Sequence, residues 1–178
     1  MNNRNSLRAD GLFVGPLTIE SGIATLAEAL ELFPGARIEV IGAGPERARL
    51  EGRPRVRLLA GSSDVHQRMR RAAYLVMPSL AYEATPRALV EAFANGLPVI
   101  ASRLGALAEL VEPGRNGLLF EPGSARDLAR RLAWAEAFPE KMRQMGECAK
   151  ADYDARFVAE WGWQKLYGER RRSVRAVP

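Results

Sequence analysis

The sequence is poor in the residues that most often hold metals or cross-link chains. Its 178 residues include one cysteine, Cys148, and one histidine, His66. A single thiol excludes an intramolecular disulfide and any multi-thiolate zinc site, and it fits a reducing cytosol. A single imidazole excludes His-x-x-x-His metal motifs. Lysine is almost as scarce: Lys141, Lys150 and Lys165 all fall late, so no phosphate-loop lysine can follow an early strand. Apolar runs such as Ala72–Met77 fall far short of the roughly 20 residues that a membrane-spanning helix needs. The opening Met1–Ser6 has no apolar stretch, so no secretory leader is expected.

What is present is an ordinary globular composition, 47% hydrophobic and 26% charged, enough to bury one substantial core. The expected organisation is a flexible segment over 1–10, one domain over 11–170 and a basic tail over 171–178. The net charge of +5 comes almost wholly from arginine, clustered between Arg47 and Arg57, between Arg68 and Arg71, and from Arg170 to Arg175. Such a balance suits an anionic ligand or surface. The clusters have no lysine run and no interleaved aromatics, so no nucleic-acid partner is expected.

Periodicity predicts strand and helix in turn. Short apolar runs at Leu12–Val14, Arg37–Ile41, Val56–Leu59, Tyr74–Met77, Pro98–Ala101 and Leu118–Phe120 read as buried strands. Between them the spacing predicts helices over Ile23–Phe33, Glu46–Glu51, Asp64–Ala72, Pro86–Asn95 and Leu104–Val111. Two more run from Ala125 to near Phe138 and from Glu140 towards the C-terminus. Repeated β–α units imply an α/β fold: a Rossmann-like, doubly wound parallel sheet of about six strands with helices on both faces. Ligands of such sheets bind outside the carboxyl ends of the strands where the strand order reverses. The loops after the first, fourth and fifth strands are therefore the ones to inspect.

The stretch richest in chemistry is Met77–Ala92. Glu83 falls in the loop after the fourth strand, and Glu91 on the next helix among Ala88, Leu89, Val90, Ala92, Phe93 and Ala94. A carboxylate on so apolar a helix needs a polar surrounding. Its bland alternative is a carboxylate favoured by the helix dipole; that of Glu83 is a surface loop residue. Proline at the first helical position, with N–H groups at Arg87 and Ala88, would make an anion site. At about 1.5 Å per residue the two glutamates stand up to about 12 Å apart, which suits a sugar–diphosphate–ribose ligand. Gly42-Ala43-Gly44-Pro45 lacks the third glycine of a dinucleotide fingerprint and reads as a tight turn. Gly15 reads as a close backbone approach at a strand end, with phosphate as its alternative partner. Tyr82 is either a pocket wall or core, His66 a solvated residue and Cys148 a small helix residue.

Glu83 to Glu91 matches the Glu-x7-Glu motif of the group 1 (family 4) glycosyltransferases, enzymes of the GT-B fold. Around it, Val76-Met77-Pro78-Ser79, Glu91–Ser102 and Glu109–Phe120 also resemble that family's blocks. So do Phe13-Val14-Gly15 and Gly42–Glu46 upstream, so the likeness spans about residues 12–170. The resemblance implies the C-terminal, nucleotide-sugar-binding half of a GT-B enzyme that retains anomeric configuration and needs no metal or other cofactor. It implies that Glu91 hydrogen-bonds the donor ribose and that backbone amides of Thr85 and Arg87 meet the diphosphate. Glu83 would be the catalytic residue, contacting the transferred sugar.

The chain departs from the family in two ways. Where the family carries Gly-Arg after the first strand and a lysine shortly beyond, this chain has Pro16 and Ser21. Charge-assisted hydrogen bonds contribute about 1.5–3 kcal/mol each, so two lost cations would weaken donor binding roughly 10²- to 10⁴-fold; Arg87 and Arg103 are the nearby replacements. The length also leaves no room for the N-terminal acceptor domain. The chain is then expected to be an excised domain, one subunit of a split enzyme, or a remnant, and inactive alone. Trp161, Trp163 and Tyr167 would dock onto that missing half. Arg170–Arg172 form a solvated tail or touch an anionic membrane, with the protein otherwise cytoplasmic. A non-catalytic nucleotide-sugar-binding or scaffolding module is the runner-up. A nucleotide-sugar epimerase fits less well, because it too needs a second domain and several cations.

Overall fold

In a computed structural model of the chain, which describes residues 10–59, 64–82 and 86–158, six strands form one parallel sheet. They are β1 (Gly11–Val14), β2 (Ile38–Ile41), β3 (Val56–Leu59), β4 (Tyr74–Met77), β5 (Val99–Ser102) and β6 (Gly117–Phe120). The helices are α1 (Ile23–Leu32), α2 (Val65–Arg71), α3 (Arg87–Ala94), α4 (Gly105–Leu110), α5 (Ala125–Ala137) and α6 (Pro139–Asp152). The strand order is β3-β2-β1-β4-β5-β6, the doubly wound Rossmann order expected from the alternation. The segment after β2 differs from the expected helix. It forms a 3-10 turn at Pro45–Arg49 with no buried residue, so it has no apolar stripe to hold a longer helix against the sheet.

Because side chains alternate across a strand, consecutive strand residues enter two separate cores. Phe13, Val40, Val76 and Ile100 pack beneath α1 and α5 with Leu26 and Leu128. Leu12, Leu75, Val99 and Leu119 pack on the other face with Met69, Leu89, Phe93 and Leu107. Every residue of β4, β5 and β6 is buried, and burial on both faces is why these strands read as unbroken apolar runs.

The sheet has one weak seam. β1 pairs with all four residues of β2, but with β4 only through Gly11↔Tyr74 and Leu12↔Leu75. At this seam the Tyr74 ring covers Gly11, where a Cβ would stand 2.4 Å from the ring. Tyr74 is buried and its hydroxyl donates to Glu136 of α5 at 2.8 Å. Burial holds the Glu136 carboxyl above its usual range, against the lowering effect of that hydrogen bond.

At the amino ends of the strands, α6 packs against α5, α3 and β6. A clasp ties its last turn to the loop before β6. Arg115 donates to both oxygens of Asp152 at 2.7 and 2.6 Å. Asn116, fully buried, donates to Asp152 at 2.8 Å and to the Leu110 carbonyl at 3.1 Å, and accepts from the Glu112 amide at 2.8 Å. Burial disfavours the Asp152 carboxylate, but the hydrogen bonds from Arg115 and Asn116 and the Arg115 charge outweigh it and lower its pKa. A π-helical segment, Tyr153–Val158, continues the helix. Among the described residues no helix is long and apolar enough to cross a membrane.

Asp152 and Glu136 therefore give stability opposite pH slopes. The lowered Asp152 contributes stability above its unfolded pKa and loses it as pH falls through its folded value. The raised Glu136 contributes stability below its unfolded pKa and loses it as pH rises through its folded value. In urea titrations Asp152→Asn is expected to lower stability by about 1.5–3 kcal/mol at neutral pH, with the deficit shrinking in acid. Glu136→Gln, whose amide oxygen still accepts from Tyr74, is expected to gain on the parent as pH rises from about 4 to 7.

Candidate functional site

The strand order reverses between β1 and β4, which pair through Gly11↔Tyr74 and Leu12↔Leu75. Outside their carboxyl ends lies a cleft of about 400 Å³. Its walls include Gly15, Pro16 and Ser21 after β1, Ser79 after β4, and Arg87 and Glu91 on α3.

Backbone contacts hold these walls together. Gly22 has φ 73°, and a Cβ there would stand 1.8 Å from the Pro78 carbonyl oxygen. The Leu80 amide donates to the Glu20 carbonyl at 2.7 Å. Between them, these contacts stitch the loop after β1 to the loop after β4. Within the first loop the Thr18 and Ser21 hydroxyls are 3.2 Å apart and the Ser21 amide donates to Thr18 Oγ1 at 3.3 Å. On its other side the loop rests on Gly42, whose Cβ would meet the Gly15 carbonyl oxygen at 1.9 Å. The Leu17 amide donates to the Ala43 carbonyl at 2.9 Å. The Gly-Ala-Gly turn thus serves as a backbone platform for the first loop.

Helix α3 begins at Arg87, with Pro86 as its cap rather than its first helical residue. The Pro86 carbonyl accepts from the Leu89 and Val90 amides. The amides of Arg87 and Ala88 precede these first bonds and belong to the turn with no carbonyl above it in the helix. Leu89, Val90, Ala92 and Phe93 are buried, while Ala88 and Glu91 line the cleft. That opening resolves the conflict posed by a carboxylate on an apolar helix: the Glu91 side chain is 34% exposed and lies 3.7 Å from Arg87 Nη2.

The structure brings Gly15, Arg87 and Glu91 together around one cleft. Glu83 and Thr85 lie outside the described residues, as do Trp161, Trp163, Tyr167 and Arg170–Arg172. Arg103 is not part of the cleft wall; it pairs with Glu121 at 3.5 Å beyond β5. Tyr82 is not core: it is exposed, with its ring laid over Gly105 at the start of α4. His66 is exposed, its Nδ1 3.3 Å from Asn95 Nδ2. Sequence reasoning missed Ser79, buried to 5% exposure in the cleft; its place just past the end of β4 was the available signal. Among the described residues no cluster of three or more His, Cys, Asp or Glu side chains is placed to hold a metal.

A doubly wound parallel sheet with a cleft at its switch point, a helix N-terminus on one wall and a carboxylate one turn further along defines a Rossmann-like α/β domain. Within that class the chain belongs to the group 1 glycosyl transferases, whose family model matches residues 2–152. It is 31% identical over 162 residues to the exopolysaccharide phosphotransferase SCO2592 of Streptomyces coelicolor, covering 85% of this chain and 17% of that protein. It is 29% identical over 177 residues to the sulfoquinovosyl transferase SQD2 of Arabidopsis thaliana, covering 86% and 34%. Among solved structures, Anabaena Alr3699/HepE in complex with UDP superposes with a TM-score of 0.80 at 26% identity, over 93% of this chain and 50% of that one. The chain thus spans half or less of each of these relatives.

The stitched loops make a local test. Gly22→Ala places a Cβ against the Pro78 carbonyl and forces a left-handed backbone, so it is expected to cost more than about 1 kcal/mol. In two-dimensional NMR the shift changes should concentrate on residues 15–22 and 76–80. A variant as stable as the parent would show that the two loops do not constrain each other.

Proposed function

We propose that this chain is the donor-binding half of a retaining glycosyltransferase, taking a nucleoside diphosphate sugar into the cleft between β1 and β4. The observation that carries this reading is the meeting of Gly15, the start of α3 and Glu91 around that cleft. In this reading Glu91 accepts hydrogen bonds from the ribose hydroxyls, and the amides of Thr85 and Arg87 receive the diphosphate at the positive end of α3. Glu83 faces the transferred sugar and stabilises positive charge developing on its ring. Membership of the group 1 family supports the reading, as does the UDP bound to the similar HepE structure. The donor is held without a metal or other cofactor.

The acceptor side belongs to a second half, either an N-terminal domain or a partner subunit, and the 178-residue chain alone transfers no sugar. We place it in the cytosol, with Arg170–Arg172 as a contact to anionic membrane. A second reading, a nucleotide-sugar-binding module without catalysis, is favoured by one observation: Pro16 and Ser21 line the cleft where the family carries cations.

Calorimetry against UDP-, GDP-, ADP- and dTDP-sugars tests both. Binding of at least one donor, weakened about tenfold or more by Glu91→Gln, is expected. No binding at millimolar donor would sink the donor-half reading. Sugar transfer by the isolated chain at an appreciable rate would sink the need for a second half. Binding that persists when an acceptor half is supplied, still without transfer, would favour the non-catalytic module.

A further inference from the structure

The cation that meets the donor diphosphate has no place in the first loop of this chain, where Pro16 and Ser21 face the cleft. Ser21 is held by Thr18 and the loop is pinned at Gly22 and Gly42. Arg103 is not on the cleft wall. Among the described residues the single cation lining the cleft is Arg87. Its position is a poor one for helix stability. It occupies the first residue of α3, a helix with no acidic residue in its first turn, where the macrodipole opposes positive charge. It also precedes its glutamate by four residues, the less favourable order for a helical ion pair. Both side chains of the pair are substantially exposed, at 66% for Arg87 and 34% for Glu91, and 3.7 Å apart, so the contact is weak. A cation at this terminus becomes favourable when an anion occupies it.

Building on the donor-binding reading, we propose that the Arg87 side chain replaces the missing loop cations as the diphosphate-recognising charge. We further infer that its pairing with Glu91 is a resting contact exchanged on binding. Without ligand the two groups stand 3.7 Å apart. When a nucleoside diphosphate enters, the guanidinium turns from Glu91 to the phosphates and leaves the carboxylate to the ribose. One side chain thereby couples recognition of the diphosphate to readiness of the ribose site, so the chain discriminates nucleoside diphosphates from nucleosides through Arg87.

The test measures binding by calorimetry on the full chain with UDP, GDP, ADP and dTDP, then compares the tightest of these with its monophosphate and its nucleoside. Arg87→Gln is expected to weaken the diphosphate about 10- to 100-fold and to leave nucleoside affinity unchanged or raised. Adding Ser21→Lys to Arg87→Gln, which returns a cation to the first loop, is expected to restore diphosphate affinity, and thermal melts confirm that each variant is folded. Diphosphate binding unaltered in Arg87→Gln would overturn the inference while the donor-binding reading stands. An equal loss for nucleoside and diphosphate would also overturn it, marking Arg87 as merely structural. No nucleotide bound by the parent chain would overturn the donor-binding reading itself.

Discussion

The architecture depends on the seam between β1 and β4. Two residue pairs join these strands, whereas β1 pairs with β2 and β5 with β6 over four. Strand order reverses at this seam, so the loops that leave the two strands run to opposite faces of the sheet and a crevice remains between them. A seam any shorter would have opened the core, because Leu12 and Leu75 fill the same layer. The Tyr74 ring covers Gly11 at the amino end of the seam, and the cleft lies at its carboxyl end, where the switch-point rule puts ligands.

The electrostatic character of the site follows from its lining: among the described residues, Arg87 and Glu91 are the charged side chains on the cleft wall. The net +5 of the chain is therefore not a property of the cleft. Many arginines are committed elsewhere: Arg57 and Arg68 to Glu39, Arg143 to Glu140 and Glu147, Arg115 to Asp152. They fasten helices and turns, and overall basicity says little about the ligand.

The strand and helix sequence was legible because buried parallel strands and amphipathic helices leave strong, distinct patterns. Gly15, Arg87 and Glu91 were legible as neighbours because the α/β switch-point rule places the loop after β1 beside the start of α3. Legibility failed where a role depends on contacts far apart in sequence. Nothing near Asp152 announces Arg115 or Asn116, and nothing near Tyr74 announces Glu136. Arg103 looked like a cleft cation because it follows a strand end, but Glu121, just past β6, competes for it. Pro86 falls outside the helix for a local reason: its carbonyl accepts the first bonds while its own conformation is non-helical, as a cap requires. Helix ends are set by such single bonds, which composition does not reveal.

The seam has one more consequence, in the thermodynamics of assembly. It divides the sheet into two half-sheets, β3-β2-β1 and β4-β5-β6, each continuous within itself. Any molecule seated in the cleft touches both, because Gly15 and Pro16 belong to one half, and Ser79, Arg87 and Glu91 to the other. Its binding free energy is then added to the cohesion of the seam by linkage. Occupancy of the cleft therefore adds a bridge between β1 and β4 beyond the two residue pairs that join them.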